Sequence, residues 1–289
     1  MFRGAIVGAA LAVGVSGSLA EARISAGDKN LGAVWFLGDS ITQSNGDGDA
    51  TSSPRSYTYS LLTDAGYTFT YTGHSTANSE GLPTTGPTGV TNPYRYHSGV
   101  AGAIIGDSRT VGSYTYTGLT QNVPTWWSAS TSRLATVKPN VIFLLIGGND
   151  INNAYDVATA PDRMKTLIDT IYAQPGVGDP TIFVATLAPN RTSTGAANRT
   201  TAFNAALPGV VKQFTDAGKD VVLVDHYTPL NASYATAMTS DNLHPNGVGN
   251  QIIANTWVTA INTRVVPEPT CLAMLAMTSG LLLRRRRTT

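Results

Sequence analysis

Apolar positions along the chain gather into five short runs, at 33–37, 67–71, 141–146, 181–187 and 221–224. Several are unbroken β-branched or aromatic stretches, the pattern of strands buried on both faces of a parallel sheet. Between them the spacing predicts helices near 55–65, 125–136, 160–173, 199–217 and 248–262. In the last of these, Val248, Ile252, Ile253, Trp257 and Ile261 recur at helical intervals. Alternation of this kind predicts one α/β/α sandwich and not two domains. Residues 72–124 break the alternation. Rich in Gly, Pro, Thr and Tyr, they read as long surface loops, and loops beside a strand end are where substrates are often held.

The two ends follow a different pattern. In residues 1–22, Arg3 precedes an apolar Ala/Val/Leu/Gly run that closes on Ala20-Glu21-Ala22, the layout of an export signal with an A-x-A cleavage site. Four glycines (Gly4, Gly8, Gly14, Gly17) and the lack of a polar face argue against a buried first helix. At the other end, Val266-Pro267-Glu268-Pro269 precedes an apolar run from Cys271 to Leu283 and a basic block from Arg284 to Arg287. The run is marginal for crossing a bilayer, and the arginines would keep the extreme C-terminus on the cytoplasmic side. This order resembles the PEP-CTERM sorting tails of Gram-negative bacteria. The expected organisation is therefore an export signal (1–22), one folded domain (23–264) and a sorting tail (265–289). The expected location is the cell envelope or beyond, with transient anchoring and a membrane sorting machinery as partner.

Composition narrows the chemistry. The only cysteine, Cys271, lies in that tail, so the domain is expected to have no disulfide, thiol nucleophile or cysteine metal site. With a net charge of +1 and no basic face outside the tail, nucleic acid is not an implied partner.

Four segments carry residue types suited to nucleophilic catalysis. Asp241-Asn242-Leu243-His244 sets a carboxylate three residues before an imidazole. On a single turn the carboxylate can accept a hydrogen bond from Nδ1–H and leave Nε2 as a base. The run at 33–37 leads straight into Gly38-Asp39-Ser40-Ile41-Thr42. Ligands of open parallel sheets bind beyond the carboxyl ends of strands, so Ser40 stands where a nucleophile is expected, although the tripeptide alone is equally a turn or helix cap. The third run ends in Gly147-Gly148-Asn149-Asp150, where an Asn NH2 can face a developing oxyanion; the same residues suit a plain turn. In the loop region, His97-Ser98-Gly99-Val100-Ala101-Gly102-Ala103 supplies glycines able to present a backbone N–H.

In this order the four segments resemble the SGNH hydrolases (GDSL-type esterases), a family named for blocks built around a Ser, a Gly, an Asn and a His. The likeness covers 33–262. Phe36-Leu37-Gly38-Asp39-Ser40-Ile41-Thr42, the stretch from Ser56-Tyr57 to Ala65-Gly66 and the Gly-x-x-Gly block are most similar to the family's carbohydrate acetylesterases. The resemblance implies a flavodoxin-like three-layer α/β/α sandwich with a five-stranded parallel sheet, and no cofactor or metal. It also implies Ser40 as nucleophile, His244 as general base and Asp241 as its orienter. The oxyanion hole would be Ser40 N–H, Gly102 N–H and the Asn149 side chain. Gly99 could serve in place of Gly102, although Ala103-Ile104-Ile105 fits the apolar residues that follow this block. The implied activity is a secreted serine esterase taking acyl groups, acetyl above all, from a carbohydrate or small ester. The same triad would serve an O-acyltransferase on extracellular polysaccharide, whereas a surface binding or structural protein has no need of the whole set.

Other candidates are weaker. Asp225 and His226 are adjacent at a strand end, so their side chains point to opposite faces. His74 and His97 lack a carboxylate at useful spacing and read as surface or loop-packing residues, His97 lying near enough to Gly102 to touch substrate. Asn45-Gly46-Asp47-Gly48-Asp49 begins like a calcium loop but has Ala50 and Ser56 where the later Gly and distal Glu belong. Trp126-Trp127 suits a sugar platform or, more commonly, a core anchor.

Overall fold

A computed structural model describes residues 27–44, 53–79, 81–85 and 91–265. The expected export signal, sorting tail and Asn45–Asp49 segment lie outside the described residues, apart from Val265. In chain order the elements are β1 (Asn30–Gly38), α1 (Ser40–Gln43), α2 (Pro54–Asp64), β2 (Thr68–Thr72), β3 (Ser98–Gly99), β4 (Arg109–Val111), β5 (Tyr114–Tyr116) and α3 (Leu119–Ser128). There follow β6 (Val141–Leu145), α4 (Gly148–Asn152), α5 (Ala160–Tyr172), β7 (Thr181–Ala185), α6 (Thr194–Asp216), β8 (Val221–Val224), α7 (Tyr227–Ala232), α8 (Tyr234–Ala237) and α9 (Gly247–Val265).

The apolar runs form the sheet because their side chains have an apolar layer on either side. Every residue of β6 and β7 is buried. The strands lie in the order β2-β1-β6-β7-β8, all parallel, with α2 packed against α9 and α3, α5 and α6 packed in succession. Aromatic rings thread the layers together: Phe143 lies 4.9 Å from Phe36, 5.5 Å from Phe183 and 4.6 Å from Trp257. The chain leaves β1 toward β2 on one side, then crosses back to β6 on the other. That reversal opens a crevice beyond the carboxyl ends of β1 and β6, the place where open α/β sheets take ligands.

Three expectations are corrected. The helix expected at 125–136 runs instead from Leu119, because Leu119, Val123 and Trp127 form the buried stripe, and it ends before a short 3-10 turn at Arg133–Ala135. The helix expected at 199–217 begins at Thr194, where Ser193 caps it by accepting the Ala196 N–H. Residues 72–124 are not surface loop throughout. Ser98–Gly99 extends the sheet beside the end of β1, pairing Leu37 with Ser98 and Gly38 with Gly99. Behind it Tyr94, His97, Ala103, Ile104 and Ile105 are buried.

Candidate active site

Ser40 is the first residue of α1, directly beyond β1. The strand must end on glycine here, since a Cβ at Gly38 would collide with the Leu145 carbonyl and Thr42. Asp39 then caps the turn, its carboxylate accepting the Ile41 N–H at 3.1 Å. Ser40 N–H, at a first helical position, has no intrahelical acceptor.

Across the crevice, the loop before α9 brings His244 to the serine. Ser40 Oγ lies 2.9 Å from His244 Nε2, and His244 Nδ1 lies 2.6 Å from Asp241 Oδ2. The second oxygen, Asp241 Oδ1, accepts the Leu243 N–H (2.8 Å), the His244 N–H (3.0 Å) and the Thr239 hydroxyl (2.5 Å). Burial alone would raise the Asp241 pKa, but these hydrogen bonds, led by that from His244, hold it well below the usual carboxylate range. The turn needs Asn242 in the left-handed region (φ 61°), and that residue is clasped by the Tyr234 hydroxyl at Oδ1 (3.0 Å) and by the Arg191 N–H at its carbonyl (3.0 Å).

Two further segments face Ser40. Asn149 sits on α4 just past β6; its Nδ2 donates to the Ala103 carbonyl at 2.9 Å and keeps a second proton. The 99–103 loop is pinned to α1 by Gln43, whose Oε1 accepts the Ala101 N–H at 2.6 Å. Gly99 N–H donates to His97 Nδ1 (2.9 Å), so it is engaged, while Gly102 N–H has no partner among the described residues. Gly102 adopts φ +75°, and a Cβ there would strike the Tyr114 hydroxyl. Ser40, Gly102, Asn149 and His244 line an open pocket of about 320 Å³, walled farther out by Tyr114, Tyr116, Asn152 and Asn153. A larger groove of about 490 Å³ runs between β8 and α9, and neither Ser40 nor His244 lines it.

The chain matches the GDSL-like Lipase/Acylhydrolase family over residues 34–257. It belongs to that family. Among solved structures it is similar to a family 3 carbohydrate esterase of Clostridium thermocellum, at 26% identity and a TM-score of 0.58, over 81% of this chain and 98% of that one. A carbohydrate esterase family 3 structure from Talaromyces cellulolyticus shares the fold at 21% identity and a TM-score of 0.55, over 80% and 98% of the two chains. A putative endoglucanase X of Acetivibrio thermocellus is 34% identical over 125 residues, 43% of this chain and 50% of that protein. The chain thus spans about half the length of that curated relative. Its α/β scaffold is that of the GDSL hydrolases.

Within this GDSL hydrolase the remaining candidates fall outside the pocket. His97 is fully buried and not a surface residue: Nε2 donates to the Ala77 carbonyl (2.7 Å) while Nδ1 accepts from Gly99, so it is neutral and shapes the loop. Burial, aided by Arg55, holds its pKa well below the ordinary value. His74 stacks on half-buried Trp126, ring centroids 3.9 Å apart, and burial lowers its pKa to about 4. Trp127 is a core residue whose Nε1 donates to the Pro175 carbonyl. Asp225 accepts from Thr186 and Thr228, whereas His226 pairs with Thr256, so the two do not bond each other. Sequence reasoning missed Gln43, Thr239, Tyr114, Tyr116, Asn152 and Asn153. The asparagines lie three and four residues after Asn149 and were findable by helical spacing; the others reach the site only through tertiary contact.

Asp39 carries a cost that can be measured. Burial pushes its carboxyl from 3.8 up to about 6, against the Ile41 N–H bond and the charge of His244, with Asp150 adding to the rise. A folded pKa above the unfolded one means the native state holds the extra proton between about pH 4 and 6, so stability is lost as pH rises through that window. Asp39→Asn keeps an acceptor for Ile41 N–H. It is expected to exceed wild type by about 2–3 kcal/mol at pH 8 and to match it near pH 4, measured by urea unfolding at both values. A pH-independent difference would show that Asp39 ionisation is not the cause.

Proposed function

We propose that the protein is an exported serine esterase that removes acetyl groups from carbohydrates, using Ser40, His244 and Asp241 as its triad. The observation that carries this reading is the unbroken line from Asp241 Oδ2 through both ring nitrogens of His244 to Ser40 Oγ, opening into a pocket with unengaged donors. Ser40 Oγ attacks the ester carbonyl as His244 Nε2 takes its proton, and Asp241 stabilises the imidazolium at Nδ1. The oxyanion is received by Ser40 N–H, Gly102 N–H and the second Nδ2 proton of Asn149, each donor contributing about 3–4 kcal/mol to the transition state. His244 then returns the proton to the leaving sugar hydroxyl, and water, activated by the same base, releases acetate.

The preference for a short acyl group rests on the lining. Apart from Ala101 and the two tyrosines, the pocket offers polar side chains and glycine, with no apolar channel for a long chain. The similarity to carbohydrate esterases supports a sugar as the alcohol, and the pattern of residues 1–22 supports export. The test is the acyl-length profile on p-nitrophenyl esters together with acetate release from an acetylated oligosaccharide. The expected kcat/KM falls about tenfold or more from acetate to octanoate, since a long chain finds no apolar surface to bury. A profile rising toward octanoate would make the protein a lipase-like acylhydrolase instead.

A further inference from the structure

The outer half of the pocket is built from parts the proposed triad does not use. β4 and β5 form a two-stranded antiparallel hairpin that pairs Arg109 with Tyr116, Thr110 with Thr115 and Val111 with Tyr114. Both strands are largely solvent-facing, and an isolated hairpin of this size has little stability of its own. Other contacts hold it in place. At its root the Ile104 N–H donates to the Thr117 carbonyl and the Leu119 N–H to the Ile104 carbonyl, tying the hairpin to the chain just after Gly102. On its flank Tyr116 packs edge-on against Tyr155, centroids 5.3 Å apart, and the Arg109 guanidinium covers the Tyr155 ring at 4.3 Å.

Tyr114 and Tyr116 are two apart on one strand, so their rings project to the same face, and both line the pocket with Ser40 and His244. They meet edge-to-face at 4.7 Å. Tyr114 is 49% exposed, one of very few large apolar side chains so exposed among the described residues, and its hydroxyl rests on the Gly102 loop, 3.4 Å from the Ala101 carbonyl. An aromatic face left in water beside a nucleophile has lost burial energy with no return from the fold.

The rest of the outer lining is amide. Asn152 uses its Oδ1 to accept from Asn190 Nδ2 (3.1 Å) and Thr192 Oγ1 (2.9 Å), leaving its NH2 without a partner among the described residues. Asn153 donates from Nδ2 to the Asn149 carbonyl (2.9 Å), leaving its own Oδ1 unengaged. One donor and one acceptor therefore line the pocket together with two tyrosine rings, and no Lys, Arg, Asp or Glu lines it among the described residues. Apolar C–H faces that stack and hydroxyls that both donate and accept are the two features of a neutral pyranose.

We propose that Tyr114, Tyr116, Asn152 and Asn153 form the sugar subsite of this pocket, seating the neutral pyranose that bears the scissile ester, with Tyr114 as its specificity-determining residue. The inference rests on the esterase reading above and names the side of the site that holds the leaving alcohol. Tyr114→Leu is expected to lower kcat/KM on acetylated xylotriose about tenfold, mainly through KM, with a several-fold smaller loss on p-nitrophenyl acetate. Tyr114→Phe, which keeps the ring, should recover most of the oligosaccharide rate. Equal losses on both esters would mean that Tyr114 acts only by propping the Gly102 loop, and would overturn the subsite. So would an unchanged oligosaccharide rate. Calorimetric titration of xylotriose into Ser40→Ala and Ser40→Ala/Tyr114→Leu separates the two readings. Binding that depends on Tyr114 in a protein inert toward every ester would sink the esterase and keep the subsite. Ester turnover without Tyr114-dependent binding would do the reverse.

Discussion

Ser40→Ala is expected to cut kcat on p-nitrophenyl acetate by about 10⁵–10⁶-fold while leaving the fold intact. The size follows from what is lost. Without Oγ no acyl-enzyme can form, and only the oxyanion donors and substrate positioning remain, which in such sites still leave about 10³–10⁴-fold over water. The stability cost should be small: Ser40 is half-buried, and its side chain makes one hydrogen bond, to His244 at 2.9 Å, worth about 1 kcal/mol. The check is kcat alongside a thermal melt of the same preparation. His244→Ala should cost nearly as much, and the double variant scarcely more than either single, because the two groups act as one device. A Ser40→Ala enzyme retaining a percent of wild-type turnover would remove Ser40 from the mechanism, and a double variant whose losses multiply would show that the two groups do not act as one device.

The parts of this fold that the sequence revealed are those governed by short-range pattern. The five apolar runs became the five long parallel strands because full burial of β6 and β7 leaves no polar face to break the run. Two of the family blocks, at Ser40 and Asn149, could be read because each sits just past a strand end, where local residues and sheet geometry coincide. The hairpin of β4 and β5 could not be read. Its residues are exposed, so no alternation marks them, and it is held by tertiary neighbours such as Ile104 and Tyr155. His97 reads as either a surface or a loop-packing residue for the same reason, and the structure shows loop packing. Its Nε2 bonds the carbonyl of Ala77, 20 residues away in sequence, a contact that no local spacing reveals. What distinguishes Gly99 from Gly102 is one hydrogen bond of that same ring, which no spacing argument contains. The helix start failed where a cap lay upstream of the first apolar residue: Ser193 caps α6, which begins at Thr194, five residues before the expected point.

Asp241→Asn is expected to lower kcat by about 10⁴-fold, more than the loss of a mere positioning contact would cost, because the amide imposes the wrong proton on His244. The carboxylate accepts on both sides. Oδ1 takes two backbone N–H groups and the Thr239 hydroxyl; Oδ2 takes His244 Nδ1–H. An asparagine has one oxygen and one NH2 to divide between those sides. The backbone donors of Leu243 and His244 cannot become acceptors, so the amide oxygen must stay with them and the NH2 must turn to His244. That forces Nδ1 to accept and moves the ring proton to Nε2, where it faces Ser40 Oγ and blocks proton abstraction. The fold should survive, since both backbone bonds of the turn are retained. Because hydrogen bonding holds Asp241 ionised to well below the ordinary carboxylate range, wild-type activity lost on mild acidification will not be due to this residue. The measurement is kcat for p-nitrophenyl acetate in Asp241→Asn and Asp241→Ala, with melts of both. Alanine loses the turn's anchor but leaves the tautomer free, so it should melt lower while remaining within about tenfold of the asparagine variant in turnover. An asparagine enzyme within tenfold of wild type would show that His244 takes its orientation from elsewhere, and Thr239, already bonded to the His244 carbonyl at 3.1 Å, would be the next residue to test.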